Sequence, residues 1–381
     1  MRAVMVTKFV PLPDNSGGRQ RSLAFARRLA RHADVVLCAY DDGRADVEGL
    51  AAEGITVQAV SWPTSAGEKL AGLSCAQSWS AGRFCSPRLA EVVHRVARGG
   101  PTDLLVVGYP QLSPLARGFP AALRVLDFHN VESALVASHA ATRRPLLRAA
   151  VGVEATALRR LERREIPRYD VVSVVSEVDR DRLPGAGAEV VVCRNGVNPG
   201  PAPAPAESPV AVFVATMGWA PNNDAALWLG REIWPLVVRH RPDARLLIVG
   251  RDPSPEVRRL AGAGIEVTGT VPDVHPYLAS ARVALAPLRA GGGTRLKILE
   301  ALAARRPIVA TTVGAEGLED LVGKGVVLAD GPRAFAAATA DLLGDPSRAA
   351  ALGATGRLAV VAGYGWASTL RPLFQRIGWE T

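Results

Sequence analysis

In the stretch APLRAGGGTRLKILE (286–300), three consecutive glycines run into Thr294, Arg295, Lys297 and Glu300. A Gly-rich turn opening a helix presents backbone N–H groups and the positive end of the helix dipole, and Gly291, Gly292 and Gly293 let an anion come close. Arg295 and Lys297 add two full charges. Glu300 only accepts hydrogen bonds, which suits a ribose or sugar hydroxyl better than a phosphate. The chemistry on offer is the grip of an anionic group with a polyol beside it. A plainer reading stands next to it: a glycine turn before an ordinary surface helix, with a Lys297–Glu300 ion pair. The glycines are not followed by Gly-Lys-Ser/Thr, so this is no Walker loop, and it is no GxGxxG either.

Certain elements must hold these residues. Val283–Ala286 reads as a buried strand that Pro287 stops, and Thr294 as the N-cap of a helix over Arg295–Ala304. Leu296, Leu299 and Leu302 then point inward, while Thr294, Lys297, Glu300 and Ala301 share another face. Similar short β-branched runs recur along the chain: Ala3–Val10, Asp34–Ala39, Ile55–Val60, Leu104–Val107, Arg124–Phe128, Val171–Val175 and Val190–Cys193. A second series follows: Val210–Ala215, Arg245–Val249, Ile265–Thr268, Val283–Ala286, Ile308–Thr311 and Val326–Leu328. Strands at this spacing with helices between them predict an α/β fold of doubly wound parallel sheets. Between the two series lies PGPAPAPAESP (199–209), whose alternating prolines fit an extended spacer and no strand or helix interior. The expected organisation is a Rossmann-like domain over 1–198, a linker at 199–209 and a second Rossmann-like domain over 210–362. A last helix in 363–381, with Trp366, Leu370, Leu373 and Ile377 on one face, would pack back on the first domain. Ligands of such sheets bind at the carboxyl ends of the strands, here in a cleft that the two domains would face.

Composition sets outer limits. A chain of 381 residues is long enough for two ordinary domains, and 48% apolar with 21% charged residues is globular rather than disordered. No apolar run reaches the roughly 18 residues of a membrane span. The start, MRAVMVTKFVPLP, reads as a buried strand and not as a signal peptide. Cys38, Cys75, Cys85 and Cys193 lack metal-ligand spacing, so reduced thiols in a cytoplasmic protein with no metal site are expected. The net charge of +9 would suit a phosphorylated substrate or peripheral contact with an anionic inner membrane surface. Its densest source, Arg143–Arg168, interleaves Arg159, Arg160, Arg163 and Arg164 with Glu154, Glu162 and Glu165, which predicts a mixed-charge helix face. It has no aromatic residues to stack bases, which argues against nucleic acid. Asp179-Arg-Asp181 falls in a helix begun by Ser176, where i and i+2 side chains diverge, so a solvated helix face is expected there rather than a metal site.

PLRAGGGTRLKILEALAARRPIVATTVGAEGL closely resembles the nucleotide-sugar motif of GT-B retaining glycosyltransferases of family 4, in its GGGT-R-K variant. Other pieces resemble that family in the same order: SGGRQRSLAFARRLA (16–30), LDFHNVES (126–133), RRLERREIPRYDVVSVVSEVDRDRL (159–183), RNGVN (194–198), MGWAPNNDAALWL (217–229), LIVGRDP (247–253) and VTGTVPDVHPYLASARVALAPL (267–288). Together they cover nearly the whole chain.

The resemblance implies that the second domain binds a nucleoside-diphosphate sugar, with UDP favoured, and that the first binds the acceptor. The sugar would pass to a hydroxyl with retention, without a metal or other cofactor. Arg295, Lys297 and the N–H groups after Gly291 would stabilise the leaving diphosphate, with Gly17 and Gly18 letting backbone approach it. Glu300 would hold the ribose, and His129 would hydrogen-bond the sugar or orient the acceptor. Val271 and Pro272 would pass beside the base, and Gly218 would line the donor site. Glu316 would either face the donor or cap the following helix. Gly292 departs from the pattern by standing where the family's first glutamate falls. The segment Thr216–Trp228 departs too, offering Trp219, Asn222 and Asn223 where the family has a basic pair. The acceptor would be a saccharide, a lipid-linked saccharide or a small natural product. Two alternatives stand: a catalytically weak sugar-nucleotide-binding relative, and a sugar-nucleotide epimerase of the same architecture. A nicotinamide oxidoreductase is disfavoured because no GxGxxG follows any strand.

Overall fold

The computed structural model describes residues 1–63, 65–140, 145–185, 187–293 and 295–380. The chain divides into two compact units: residues 1–194 with 370–381, and residues 195–369.

The first unit is built on a seven-stranded sheet of β1 (Arg2–Phe9), β2 (Asp34–Asp41), β3 (Ile55–Ser61), β4 (Leu104–Gly108), β5 (Leu123–Asp127), β6 (Val171–Val174) and β7 (Glu189–Val192), in the order β3-β2-β1-β4-β5-β6-β7. The second carries a six-stranded sheet of β8 (Val210–Val214), β9 (Arg245–Val249), β10 (Ile265–Gly269), β11 (Val283–Ala286), β12 (Ile308–Ala310) and β13 (Val326–Leu328), in the order β10-β9-β8-β11-β12-β13. Every pairing is parallel. Each run expected from sequence forms a strand.

Parallel strands need both faces covered, and the central ones show it. In β1, Val6 pairs with Cys38 on one side and Val107 on the other, and Ala3 to Val6 are fully buried. Burying such a side chain contributes about 1.5–3 kcal/mol, so β-branched runs settle in the middle of the sheet. The second unit repeats the plan around Phe213, Ile248, Leu285, Val309 and Phe335. In each sheet the strand order reverses once, between β1 and β4 and between β8 and β11. These are the switch points at which doubly wound sheets leave a crevice at their carboxyl ends.

The structure corrects two sequence expectations here. The helix Pro145–Glu165 is not a mixed-charge face: Glu162 and Glu165 are fully buried, and Glu154 is hydrogen-bonded to Ser78 and Ser80. Of the charged residues on this helix, Arg148, Arg159, Arg160 and Arg163 stay exposed. These carboxylates turn inward because buried hydroxyls and N–H groups on other elements meet them. Likewise Asp179 is buried rather than solvated. Ser176, the N-cap, accepts from its N–H at 3.0 Å, and the Ser176 hydroxyl donates back to Asp179 Oδ2 at 2.6 Å. The closing helix spans Trp366–Arg376. From Leu370 on it belongs to the first unit, where Phe374 lies 6.2 Å from Phe25 between ring centroids.

Candidate functional site

In the second unit the carboxyl end of β11 leads into the glycine loop. Gly291 and Gly293 have φ of +144° and +69°, a region that favours glycine. At Gly291 a second reason applies. A Cβ there would lie 2.6 Å from Arg295 Nη2, so the glycine is what lets the guanidinium fold back against the loop. Arg295 is buried and donates to the carbonyls of Gly292 and Val313. It thereby ties the loop to the turn that follows β12. The helix runs over Leu296–Ala303, one residue shorter at each end than expected, with Arg295 at the N-cap and no side-chain cap. Thr294, the expected cap and site residue, lies outside the described residues.

Lys297 stands on the first turn of this helix. Its ammonium donates to Asn222 Oδ1 at 2.7 Å and sits 4.8 Å from the centroid of the Phe213 ring. Asn222 is held in turn by its amide N–H to the Thr216 carbonyl, 2.8 Å. Among the described residues the ammonium therefore bonds Asn222 and not Glu300, which removes the simple surface ion pair from consideration. Burial first, and the neighbouring Arg295 second, push the Lys297 pKa down to about 7 against the opposing pull of Glu300. A cation here is uncomfortable without an anion. Glu300 lies one turn on and is partly exposed.

The remaining residues expected at the donor site spread along the same sheet edge. Gly218 is on the loop after β8, where a Cβ would lie 3.3 Å from Asp252 Cβ. Glu316 is partly exposed in the turn after β12. It lies two residues before Leu318, the N-cap of the next helical turn, Glu319–Leu321. Val271 and Pro272 follow β10, three strand spacings from β11, or about 14 Å. Arg289, inside the quoted stretch, is occupied by Asp224 at 2.7 Å.

The first unit gathers a different cluster at its own switch point. His129 follows β5 and is buried; its Nε2 lies 3.1 Å from Asp127 Oδ2. Arg21, from the helix Gly17–Leu29, grips the same carboxylate at 2.9 and 2.6 Å and also donates to the Cys193 carbonyl at 2.8 Å. Ser173 donates to Asp127 at 2.6 Å. Burial alone would raise the Asp127 pKa, but Arg21 and His129 outweigh it and hold the group well below the carboxylate range. Burial also lowers the His129 pKa, only partly offset by Asp127, so the ring is neutral at pH 7.

Tyr109 completes this cluster. Its ring stacks 3.8 Å from His129, with the Lys8 ammonium 4.0 Å from its centroid and Lys8 itself 3.6 Å from Glu132. It holds φ of +82°, strained for so bulky a residue. A Cβ on Gly18 would meet its hydroxyl at 2.2 Å. That contact gives Gly18 a reason to be glycine. Gly17 opens the helix beside it.

Sequence reasoning met Asn222 only as a departure from the family's basic pair, and it missed Arg21, Asp127, Tyr109 and Lys8 as site residues. One signal was available: Asp127 and His129 are two apart at a strand end, where alternate residues share a face. Among the described residues no cluster of three or more His, Cys, Asp or Glu side chains is placed to hold a metal ion.

Two doubly wound parallel sheets, each with a switch point at its carboxyl ends, give the chain the architecture of the GT-B fold. Residues 208–345 match the family model described as Glycosyl transferases group 1. Among solved structures the chain is similar to the sucrose-phosphate synthase tll1590 from Thermosynechococcus elongatus, with a TM-score of 0.70 at 18% identity over 99% of this chain and 98% of that one. It is also similar to Anabaena Alr3699/HepE in complex with UDP, with a TM-score of 0.68 at 15% identity over 99% and 100%. The OtsA apo structure matches at a TM-score of 0.66 and 14% identity over 100% of both chains. Among curated proteins no sequence matches.

Proposed function

We propose that the protein moves a sugar from a nucleoside-diphosphate sugar, UDP-linked, to an acceptor hydroxyl with retention at the anomeric carbon. The carrying observation is the Lys297–Arg295 pair: a packed ammonium, its pKa pushed down to about 7, beside a guanidinium folded onto a glycine loop. An arriving diphosphate would favour the charged form of Lys297. The structures of Anabaena Alr3699/HepE with UDP and with UDP-glucose favour a UDP donor by analogy of fold.

In the proposed reaction the acceptor oxygen bonds to the anomeric carbon as the bond from that carbon to the diphosphate oxygen breaks. The acceptor proton passes to the departing diphosphate, whose growing charge meets Arg295 and Lys297. Donors placed in this way are each worth about two to three orders of magnitude in rate. Because two side chains do this work, the scheme asks for no metal. Glu300 takes the ribose hydroxyls, and Val271 and Pro272 pass the base. Gly218 and Glu316 line the donor. Neutral His129 hydrogen-bonds the sugar or acceptor, with Tyr109 and Gly18 shaping that end. The acceptor is a saccharide, lipid-linked saccharide or small natural product.

Incubation with labelled UDP- and GDP-sugars tests the proposal. Slow release of sugar from one donor is expected, unaffected by a metal chelator and reduced about a hundredfold or more in Lys297→Ala. Tight binding without turnover, even with saccharide acceptors supplied, would instead make the protein a sugar-nucleotide-binding relative.

A further inference from the structure

Two of the cysteines meet in the first unit. The helix Ala66–Ala76 carries Cys75, and Cys85 follows the short helix Trp79–Gly82. Each stands three residues after a glycine, in GLSC (72–75) and GRFC (82–85). The glycines let the two backbones touch. A Cβ on Gly72 would run into the Gly82 carbonyl and lie 2.9 Å from the Cys85 carbonyl oxygen, and one on Gly82 would lie 2.8 Å from Leu73 Cα. Cys75, one helical turn past Gly72, shares its face. The Cys85 N–H donates to the Gly82 carbonyl at 3.2 Å, which turns this residue back on the same contact. The two thiols share a hydrogen bond.

Their surroundings differ. Cys85 is 3% exposed, and its S–H has two acceptors in reach, the Gln111 carbonyl at 3.2 Å and the Cys75 sulfur. Cys75 is only half-buried. The bond from Cys85 chiefly, with the Arg117 and Arg164 guanidiniums behind it, holds the Cys75 thiol low against burial and the Glu165 carboxylate. The same contact and burial push Cys85 up. Cys38 and Cys193 are fully buried, which pushes them up to about 12 and about 11. A redox-sensitive cysteine is accessible, rich in thiolate and placed beside a second sulfur that can resolve it. Cys75 meets all three conditions.

We propose that Cys75 and Cys85 form a peroxide-sensitive pair, in which a hydroperoxide oxidises Cys75 and Cys85 then closes a disulfide. The Cys75 thiolate attacks one peroxide oxygen, the O–O bond breaks, and the departing hydroxide takes a proton and leaves as water. Cys75 is then a sulfenic acid. The Cys85 sulfur attacks it, the S–S bond forms as the S–O bond breaks, and the leaving hydroxide takes the Cys85 proton. The thiols lose two electrons and the peroxide gains them, and a dithiol restores the reduced pair by exchange. A disulfide has no S–H, so the Gln111 carbonyl, two residues past Tyr109, loses its donor on oxidation. The inference is independent of the donor reading.

The test treats the reduced full chain with equimolar hydrogen peroxide at neutral pH, then unfolds it, alkylates it and maps it by mass spectrometry without reduction. The expected product is lighter by about two daltons, the two thiol hydrogens. Its Cys75 and Cys85 peptides are joined, Cys38 and Cys193 are alkylated, and dithiothreitol reverses the change. Serine keeps a donor at either position, so unaltered circular dichroism is expected for both single variants. In Cys85→Ser the reaction should stop at a sulfenic acid on Cys75, which dimedone traps. In Cys75→Ser no sulfenic acid should form, because the Cys85 thiol stays protonated. Cys75 and Cys85 both alkylated after peroxide would overturn the proposal. So would a disulfide that joins either of them to Cys38, to Cys193 or to a second chain. Dimedone trapped on Cys85 in Cys75→Ser would overturn it as well, by making the buried thiol the reactive one.

Discussion

The two switch points handle buried charge in opposite ways. At the first, Arg21 meets Asp127 through two bonds, and Lys8 faces Glu132. Cation and anion are matched within the protein, and the result is a fixed, neutral His129. At the second, Lys297 bonds a neutral amide while Arg295 lies close enough to push its pKa further down. A matched pair serves the fold, because each partner makes the other's burial tolerable. A buried lysine whose pKa is held low beside a second cation serves a ligand, because an arriving anion favours its charged form.

The largest expected effect breaks this contrast or upholds it. Asp127→Ala leaves the Arg21 guanidinium buried without its counter-ion and should cost about 3–5 kcal/mol, read as a lower urea midpoint for the first unit's transition. Lys297→Met should leave stability at pH 7 unchanged or raised. The sign follows from the lowered pKa. Between about pH 7 and the unfolded value of 10.5 the unfolded chain binds a proton that the folded chain has given up, so stability rises with pH across that window. Below it the folded chain carries a charge that burial disfavours, and methionine removes that cost. Equal losses in the two variants would erase the distinction.

Next in size is Gly291→Ala. The new Cβ would meet Arg295 and force an alanine to a strained φ, so the guanidinium must leave the loop. A strain of about 1–3 kcal/mol should appear as UDP affinity lower by roughly tenfold or more, with His129 and the first unit undisturbed. Unaltered UDP affinity would separate the loop from nucleotide binding.

A smaller effect sharpens the comparison through pH. UDP favours charged Lys297, so above about pH 7 its binding must take up a proton. Affinity should fall toward tenfold per pH unit there. Calorimetry in buffers of different ionisation enthalpy measures that uptake, and Lys297→Met should abolish it.

The strands were legible in the sequence because β-branched runs and the proline segment act locally. The glycine loop was legible because glycine, arginine and lysine sit within ten residues of one another. What stayed hidden depends on partners far along the chain. Arg21 stands among Arg19, Arg27 and Arg28, and it is a carboxylate 106 residues away that holds it fully inside. Asn222 gains its role from Lys297, 75 residues on. Glu162 and Glu165 read as half of a mixed surface because Ser133 and Ser113, which hold them inside, lie 29 and 52 residues earlier. Tyr109 was hidden for another reason, since nothing in its neighbours announces a backbone at positive φ.

The central claim is that Lys297 and Arg295 wait for a diphosphate. Titration of UDP into the wild type and Lys297→Met at neutral pH, followed by calorimetry, tests it most directly. A loss of about tenfold to a hundredfold in affinity is expected for the variant, the worth of a hydrogen bond to a charged group. UDP bound equally well by the methionine variant would contradict the account.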